Sequence, residues 1–192
     1  HQPGHEKYKD INGDGQITGA DNTIIGNALP THFGGIGNTF TYKNFQLSAF
    51  LQWSYGNDIL NANRLVFENM EVANQNQLAT TLNRWTPENQ NTNMHRAGGQ
   101  GFEDISSRIV EDGSYLRLKT VNFSYNLPED LIEKLNLNSL KVYLAAQNLF
   151  TWTNYSGFDP DVSVANSLIT PGIDYSAYPR HRVLSLGLNI SF

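Results

Sequence analysis

The residues best suited to do chemistry lie between Asp10 and Asp21, in the run Asp10-Ile11-Asn12-Gly13-Asp14-Gly15-Gln16-Ile17-Thr18-Gly19-Ala20-Asp21. This spacing fits a twelve-residue calcium loop. Asp10, Asn12 and Asp14 hold positions one, three and five. Gly15 stands at six, where the backbone must turn sharply, and Gln16 at seven offers its main-chain carbonyl. Thr18 follows at nine and Asp21 closes the loop at twelve. A hard cation takes oxygen ligands, and alternate residues of a tight loop supply them. The expectation is a structural calcium held by Asp10, Asn12, Asp14, Gln16, Thr18 and Asp21, with Ile17 pointing into a core. Position twelve is Asp, however, not the longer bidentate Glu. No amphipathic helix precedes the loop, which argues against a regulatory sensor. The competing reading is an Asx- and Gly-rich turn that holds no metal.

Other reactive groups are sparse. The chain has no Cys, which excludes a disulfide framework, a thiol nucleophile and a Cys-zinc site. A net charge of −5 without a basic run argues against nucleic acid and against a polybasic membrane anchor. There is no Gly-x-Ser-x-Gly elbow, no His-Glu-x-x-His helix and no phosphate loop, and the five His lack ligand spacing. Asp58, Glu68, Asp159 and Asp161 could pair as catalytic carboxylates in principle, but solvated loop acids are far commoner. The expectation is a protein that is not an enzyme. Trp85, Trp152 and Tyr155 are candidate ligand contacts, weighed against the plainer role of packing their loops.

The elements that carry these residues read as β-strands. Arg182 to Phe192 alternates strictly: Leu184, Leu186, Leu188, Ile190 and Phe192 on one face, Ser185, Gly187, Asn189 and Ser191 on the other. Ending on Phe, this stretch reads either as the closing strand of an outer-membrane barrel or as the last strand of a soluble sandwich. Gly35 to Tyr42 is a strand, Lys43-Asn44 a two-residue hairpin turn, and Phe45 to Tyr55 the returning strand. In the returning strand Phe45, Leu47, Ala49, Leu51, Trp53 and Tyr55 share a face, with Phe50 the exception on the other. Aromatic residues bracket the apolar face, as they do on lipid-facing strands.

Ser114 to Leu127 is a third strand whose phase slips near Lys119-Thr120, which predicts a β-bulge. Pro128 to Leu135 is a short helix, and Leu140 to Leu149 a fourth strand. Residues 56–114 and 150–181 are long connections rich in polar residues. The first holds a short helix over roughly Asn76 to Trp85 and a flexible Gly98-Gly99-Gln100-Gly101. No apolar run reaches the ~20 residues of a spanning helix, whereas a spanning strand needs only about 9–11. Charged residues are only 16% of the chain, below the usual quarter. Short and long connections alternate, so short turns collect at one end of the strands and long loops at the other. A membrane barrel has this layout; a sandwich has no reason for it. The fold class is therefore all-β: antiparallel transmembrane β-barrel strands with long extracellular loops. Residues 1–34 form an extracellular segment with the calcium-like loop, and 35–192 form barrel strands and loops. The start, His1-Gln2-Pro3-Gly4-His5, reads as a piece of something longer.

Five stretches carry a resemblance: KYKDINGDGQITGADNTIIG (7–26), GNTFTYKNFQLSAFLQWSYGNDI (37–59), GSYLRLKTVNFSYNLP (113–128), LKVYLAAQNLFTWTNYSGFDPD (140–161) and YPRHRVLSLGLNISF (178–192). Together, and in this order, the chain resembles the C-terminal barrel portion of the SusC/RagA-type TonB-linked outer-membrane proteins of Bacteroidetes. The resemblance implies import of oligosaccharide or peptide across the outer membrane and a SusD-like surface lipoprotein as partner. It implies energy from the TonB complex, engaged through parts absent here, and a wall completed by the remainder of the transporter chain against membrane lipid. About five strands cannot close a bacterial barrel. The alternative is a secreted calcium-stabilised β-sandwich that binds carbohydrate, with Trp53, Trp85 and Trp152 as stacking platforms.

Overall fold

The computed structural model describes residues 2–98, 105–163 and 171–192. In chain order the elements are β1 (His32–Tyr42), β2 (Phe45–Tyr55), β3 (Asp58–Asn61), α1 (Ala62–Phe67), β4 (Val110–Asp112), β5 (Tyr115–Asn126), α2 (Glu129–Lys134), β6 (Ser139–Thr153), β7 (Ile173–Asp174) and β8 (Val183–Ser191). Short 3-10 turns fall at Gly19–Asp21, Ala79–Asn83 and Ser107–Ile109. The chain divides into two compact units. One comprises His1–Ala28, Asp58–Glu111 and Val162–Ala177; the other comprises Leu29–Asn57, Asp112–Asp161 and Tyr178–Phe192.

The second unit is an antiparallel sheet in the order β1-β2-β5-β6-β8. Its register aligns the alternating patterns of separate strands into one surface. Phe40 pairs with Leu47, Leu47 with Phe123, Phe123 with Leu144 and Leu144 with Leu186. One step toward the short turns, Tyr42, Phe45 and Tyr125 form an aromatic row. Toward the other end, Trp53 pairs with Leu116 and Leu116 with Trp152. The opposite face is polar: Thr39, Ser48, Asn122, Ala145 and Ser185 stand in one row. A one-residue slip would mix the two sets, so the pattern and the register specify each other.

The apolar face stays uncovered. Leu186 is 77% exposed, Leu184 69% and Leu188 64%. A soluble sandwich would press a second sheet onto such a face; a lipid-facing barrel strand leaves it open. Phe45 to Tyr55 spans about 33 Å at ~3.3 Å per residue, which a tilt near 45° reduces to the ~25 Å of a lipid-facing band. Strands β1 and β8 are each paired on one side within this sheet.

The bulge falls where the phase slip predicts it. Phe50 faces Thr120 while Leu51 faces Leu118, so Lys119 is the extra residue. Its Nζ donates to Gln52 Oε1 at 2.8 Å. On the other side of β5 the register also shifts between Leu118 and Thr120, and Asn148 in β6 adopts a positive φ of 50°. The bulge lets Leu116 and Leu118 share the apolar face with Val121, Phe123 and Tyr125 despite their opposite parity.

Phe50, the apolar exception on the polar face, has a packing reason. A Cβ on Gly35 would come within 2.6 Å of Phe50 Cζ, so the ring lies over a glycine of the neighbouring strand. Tyr143 covers Gly187 of β8 in the same way. An aromatic ring thus supplies the packing that a side-chain-free position lacks. Replacing Gly187 by Val drives a side chain into the Tyr143 ring. The expected cost is about 1–3 kcal/mol, the range for overpacking. It should appear as a lower thermal midpoint of the folded barrel on heat-modifiability gels, and adding Tyr143→Ala should restore part of it.

The first unit draws on the segment before β1 and on the two long connections. The stretch 56–114, which the sequence reads as a long polar connection, contains β3 and β4, which join β7 in a small sheet of order β4-β3-β7. These strands are too short to show periodicity. The helix expected over 76–85 is the single 3-10 turn Ala79–Asn83, with Leu82 81% exposed. Gly99, Gln100 and Gly101 of the expected flexible run lie outside the described residues. Among the described residues no helix is long and apolar enough to cross a membrane, which says nothing of strands.

Candidate functional site

The calcium-like loop closes on its own backbone. Asp10 Oδ1 accepts the Gly13 N–H at 2.6 Å and its Oδ2 accepts that of Gly15 at 2.8 Å. Asn12 Oδ1 accepts from Asp14 N at 2.9 Å, and Asp14 Oδ1 from Gln16 N at 2.8 Å. These are Asx turns in series. Thr18 and Asp21 form a capping box on the Gly19–Asp21 turn: the Thr18 hydroxyl accepts from Ala20 N, and Asp21 Oδ2 accepts from Thr18 N at 2.8 Å. Asp21 Oδ1 reaches back to Ile11 N, also at 2.8 Å. Asn12 turns its amide nitrogen, a donor, toward Asp14 Oδ2 at 2.9 Å. Among the described residues no group of three or more His, Cys, Asp or Glu could hold a metal ion. As arranged, the oxygens of Asp10, Asn12, Asp14, Thr18 and Asp21 accept backbone donors within the loop. Ile17 is 47% exposed, not in a core. It lines an open groove of about 860 Å³ with Ile11, Ile25 and Ile105.

The Asp21 carboxyl is held below its ordinary 3.8, first by the Thr18 N–H and then by the Ile11 N–H. A carboxylate whose folded pKa is depressed stabilises the fold above its unfolded pKa. That contribution disappears as pH falls through the folded pKa. Amide protection at Ile11 and Thr18, normalised to intrinsic exchange, should therefore persist below pH 3.8 and collapse only at stronger acidity. Asp21→Asn should lower the protection and flatten its pH dependence.

Of the four acids weighed as paired carboxylates, Glu68, Asp159 and Asp161 answer to arginines and Asp58 to a backbone amide. In the first unit Glu68 is 1% exposed. It meets Arg64 Nε at 3.0 Å, Arg108 Nη1 at 2.5 Å and the Thr80 hydroxyl at 2.7 Å. Arg64 also reaches Glu111 at 3.1 Å, and Arg108 also pairs with Glu6. Buried apolar residues here are few, chiefly Ile59 and Ile109, so this ionic network and the backbone bonds around it fix the unit. Asp58 Oδ2 accepts the Asn27 N–H at 2.8 Å.

On the polar face of the sheet, Arg117 is 2% exposed. It donates to Asp159 Oδ1 at 2.5 Å and to Thr151 Oγ1 at 3.0 Å, and stands 3.6 Å from Asp161. Asp161 pairs with Arg180 at 2.8 Å, and the Arg180 N–H donates to Asp159 Oδ2 at 3.2 Å. One buried cation thus ties β5 to the segment after β6 and to the lead-in of β8. Sequence reasoning missed Arg117. Its signal was a charge on the polar parity of an otherwise alternating strand, followed by the acids Asp159-Pro160-Asp161.

Each aromatic candidate has its own surroundings. Trp152 lies in β6, not in a loop, on the apolar face 6.0 Å from the Phe150 ring. Tyr155 is buried, its ring packed against Gly157. Trp85 is half-buried, stacked over Gly4, with its main-chain N–H donating to the Met94 carbonyl at 3.1 Å.

No protein-family profile matches the chain. It is 40% identical over 195 residues to TonB-dependent receptor P3 of Formosa agariphila, covering 99% of this chain and 19% of that protein. It is 27% identical to TonB-dependent receptor SusC of Bacteroides thetaiotaomicron, over all of this chain and 18% of SusC. The solved RagAB peptide importer in its closed-closed state superposes with a TM-score of 0.76 at 28% identity, over 98% of this chain and 21% of that one. The chain spans about a fifth of the length of the relatives it matches. A sheet section with segregated faces, long connections that leave one end of its strands and similarity running through its whole length make this chain a barrel portion of the SusC/RagA-type TonB-dependent receptors.

Proposed function

We propose that the chain forms part of the wall and the extracellular connections of an outer-membrane nutrient importer. The observation that carries this reading is the row-by-row alignment of one uncovered apolar face, bracketed by aromatic residues, across five strands. Its mechanism is binding and gated passage without bond chemistry. The apolar face meets lipid, the polar face with Arg117 lines the lumen, and the long connections reach the cell exterior. The strands continue into the rest of the transporter, since an exposed strand edge in hydrocarbon leaves backbone groups unpaired. A SusD-like lipoprotein is the partner, TonB the energy source, and the cargo class oligosaccharide or peptide; the similarity to SusC and to the RagAB peptide importer supports this. Calcium at residues 10–21 would require the Asn12 amide to turn over, and a calcium titration followed by thermal denaturation tests it.

The decisive experiment purifies the full-length transporter carrying this segment from outer membranes. The expected result is a detergent-dependent complex that retains a lipoprotein and releases oligosaccharides or peptides to mass spectrometry. A chain that stays soluble and monomeric without detergent sinks the proposal.

A further inference from the structure

At the long-loop end of the sheet the apolar face opens into a groove of about 700 Å³. Its floor is Leu116, 40% exposed, and its walls are Trp53 and Trp152, the register partners of Leu116 on either side. The two tryptophans stand on strands about 10 Å apart, two inter-strand spacings. Trp53 leans away from the floor: its ring lies over Gly34, and its Nε1–H donates to His32 Nδ1 at 3.2 Å. Trp152, 53% exposed, leaves its indole available to the groove.

A polar rim adjoins these walls. Ser114 N donates to Asp112 Oδ1 at 2.9 Å, Gly56 N donates to the Ser114 hydroxyl at 2.9 Å, and Thr153 Oγ1 donates to the Ser114 carbonyl at 2.8 Å. The Ser114 hydroxyl first, then its N–H and the Asn154 side chain, hold the Asp112 carboxyl below its ordinary range. The rim is thus an ionised, oriented acceptor beside an amide. Among the described residues no Lys or Arg lines the groove.

We infer that this groove binds the hexose headgroup of a neutral glycolipid in the outer leaflet. An indole face packs against the C–H face of a sugar ring, because the ring quadrupole presents negative charge to those hydrogens. A carboxylate and an amide at the rim take the sugar hydroxyls, and few polar groups among apolar walls are the usual form of a selective site. The missing cation turns away phosphate-bearing headgroups. Position selects the source: the groove opens from the apolar band at the aromatic level, where acyl chains give way to headgroups. The inference rests on the membrane reading proposed above.

The test uses the full-length transporter in detergent, probed by native mass spectrometry with monoglucosyl diacylglycerol, with phosphatidylglycerol of the same acyl chains, and with free maltose. Monoglucosyl diacylglycerol should be retained, about tenfold less by Trp152→Ala and by Leu116→Phe, which fills the floor, and severalfold less by Asp112→Asn. Phosphatidylglycerol retention should be the same in all four proteins. Equal glycolipid retention by wild type and variants overturns the inference, as does displacement of the glycolipid by equimolar maltose, which would assign the groove to soluble sugar. Heat-modifiability gels run in parallel separate the two failures. Folded barrels with unaltered glycolipid retention remove the groove alone, whereas a wild-type chain that never inserts removes the membrane reading.

Discussion

Leu186→Arg should cripple barrel assembly, at a cost of about 2–4 kcal/mol for a cation set into the hydrocarbon band. Leu186 belongs to the row Phe40–Leu47–Phe123–Leu144–Leu186, and it is 77% exposed. In water such a substitution would be harmless or helpful, since it covers an exposed leucine with charge. In lipid the guanidinium must snorkel or thin the bilayer. The sign of the effect therefore reports the solvent on that face. Leu47→Arg, in the same row, should behave alike. Ser185→Arg and Ser48→Arg lie in the row Thr39–Ser48–Asn122–Ala145–Ser185 on the opposite face and should be tolerated. The readout is the amount of heat-modifiable, folded transporter in the outer-membrane fraction. Equal tolerance on both faces would contradict the membrane assignment.

The second large effect belongs to Arg117→Ala. Arg117 and Asp159 are both buried, at 2% and 7% exposure, and meet at 2.5 Å. Removing the cation strands a desolvated carboxylate, for which about 3–5 kcal/mol is usual. Asp159 also accepts the N–H groups of Asp161 and Arg180, so its displacement frees the chain on both sides of the long connection after β6. Protease cutting around residues 154–162 should rise sharply and the thermal midpoint should fall. Asp161→Asn should be milder, because Asp161 is 37% exposed and lies 3.6 Å from Arg117. An apolar pair, Arg117→Met with Asp159→Leu, should recover much of the loss, since it removes both charges together. If Arg117→Ala leaves cutting and midpoint unchanged, the cluster does not hold the connection in place.

Much of the sheet was legible before any coordinates. Period-two alternation in Phe45–Tyr55 and Val183–Ser191 gave two strands and their apolar faces, because side-chain direction along a strand follows from backbone geometry alone. The phase change at Lys119 gave the bulge for the same reason. Resemblance and the alternation of connection lengths gave the barrel. The 56–114 connection was not legible in this way. It is organised by Arg108 with Glu68 and by Arg64 with Glu111, pairs 40 and 47 residues apart in sequence, and no local period encodes such pairs.

The candidate sites divide along the same line. The Asp-x-Asn-x-Asp-Gly spacing specified a tight loop at Asp10–Asp21, and that loop is there, since Asx turns and capping boxes are local hydrogen bonds. Whether its oxygens converge depends on side-chain rotation, which spacing does not fix. Trp152 looked like a loop aromatic and lies on the apolar face of β6, because strand length is set by pairing with β5, not by the strand's own residues. Sequence by itself determined which residues alternate, where the chain turns and which family it resembles. Only the tertiary structure decided the cross-strand register, and with it the Trp53–Leu116–Trp152 groove, the burial of Arg117 against Asp159, and the uncovered state of the apolar face. Those properties belong to pairs of segments distant in the chain, whose free energy of association no single segment carries.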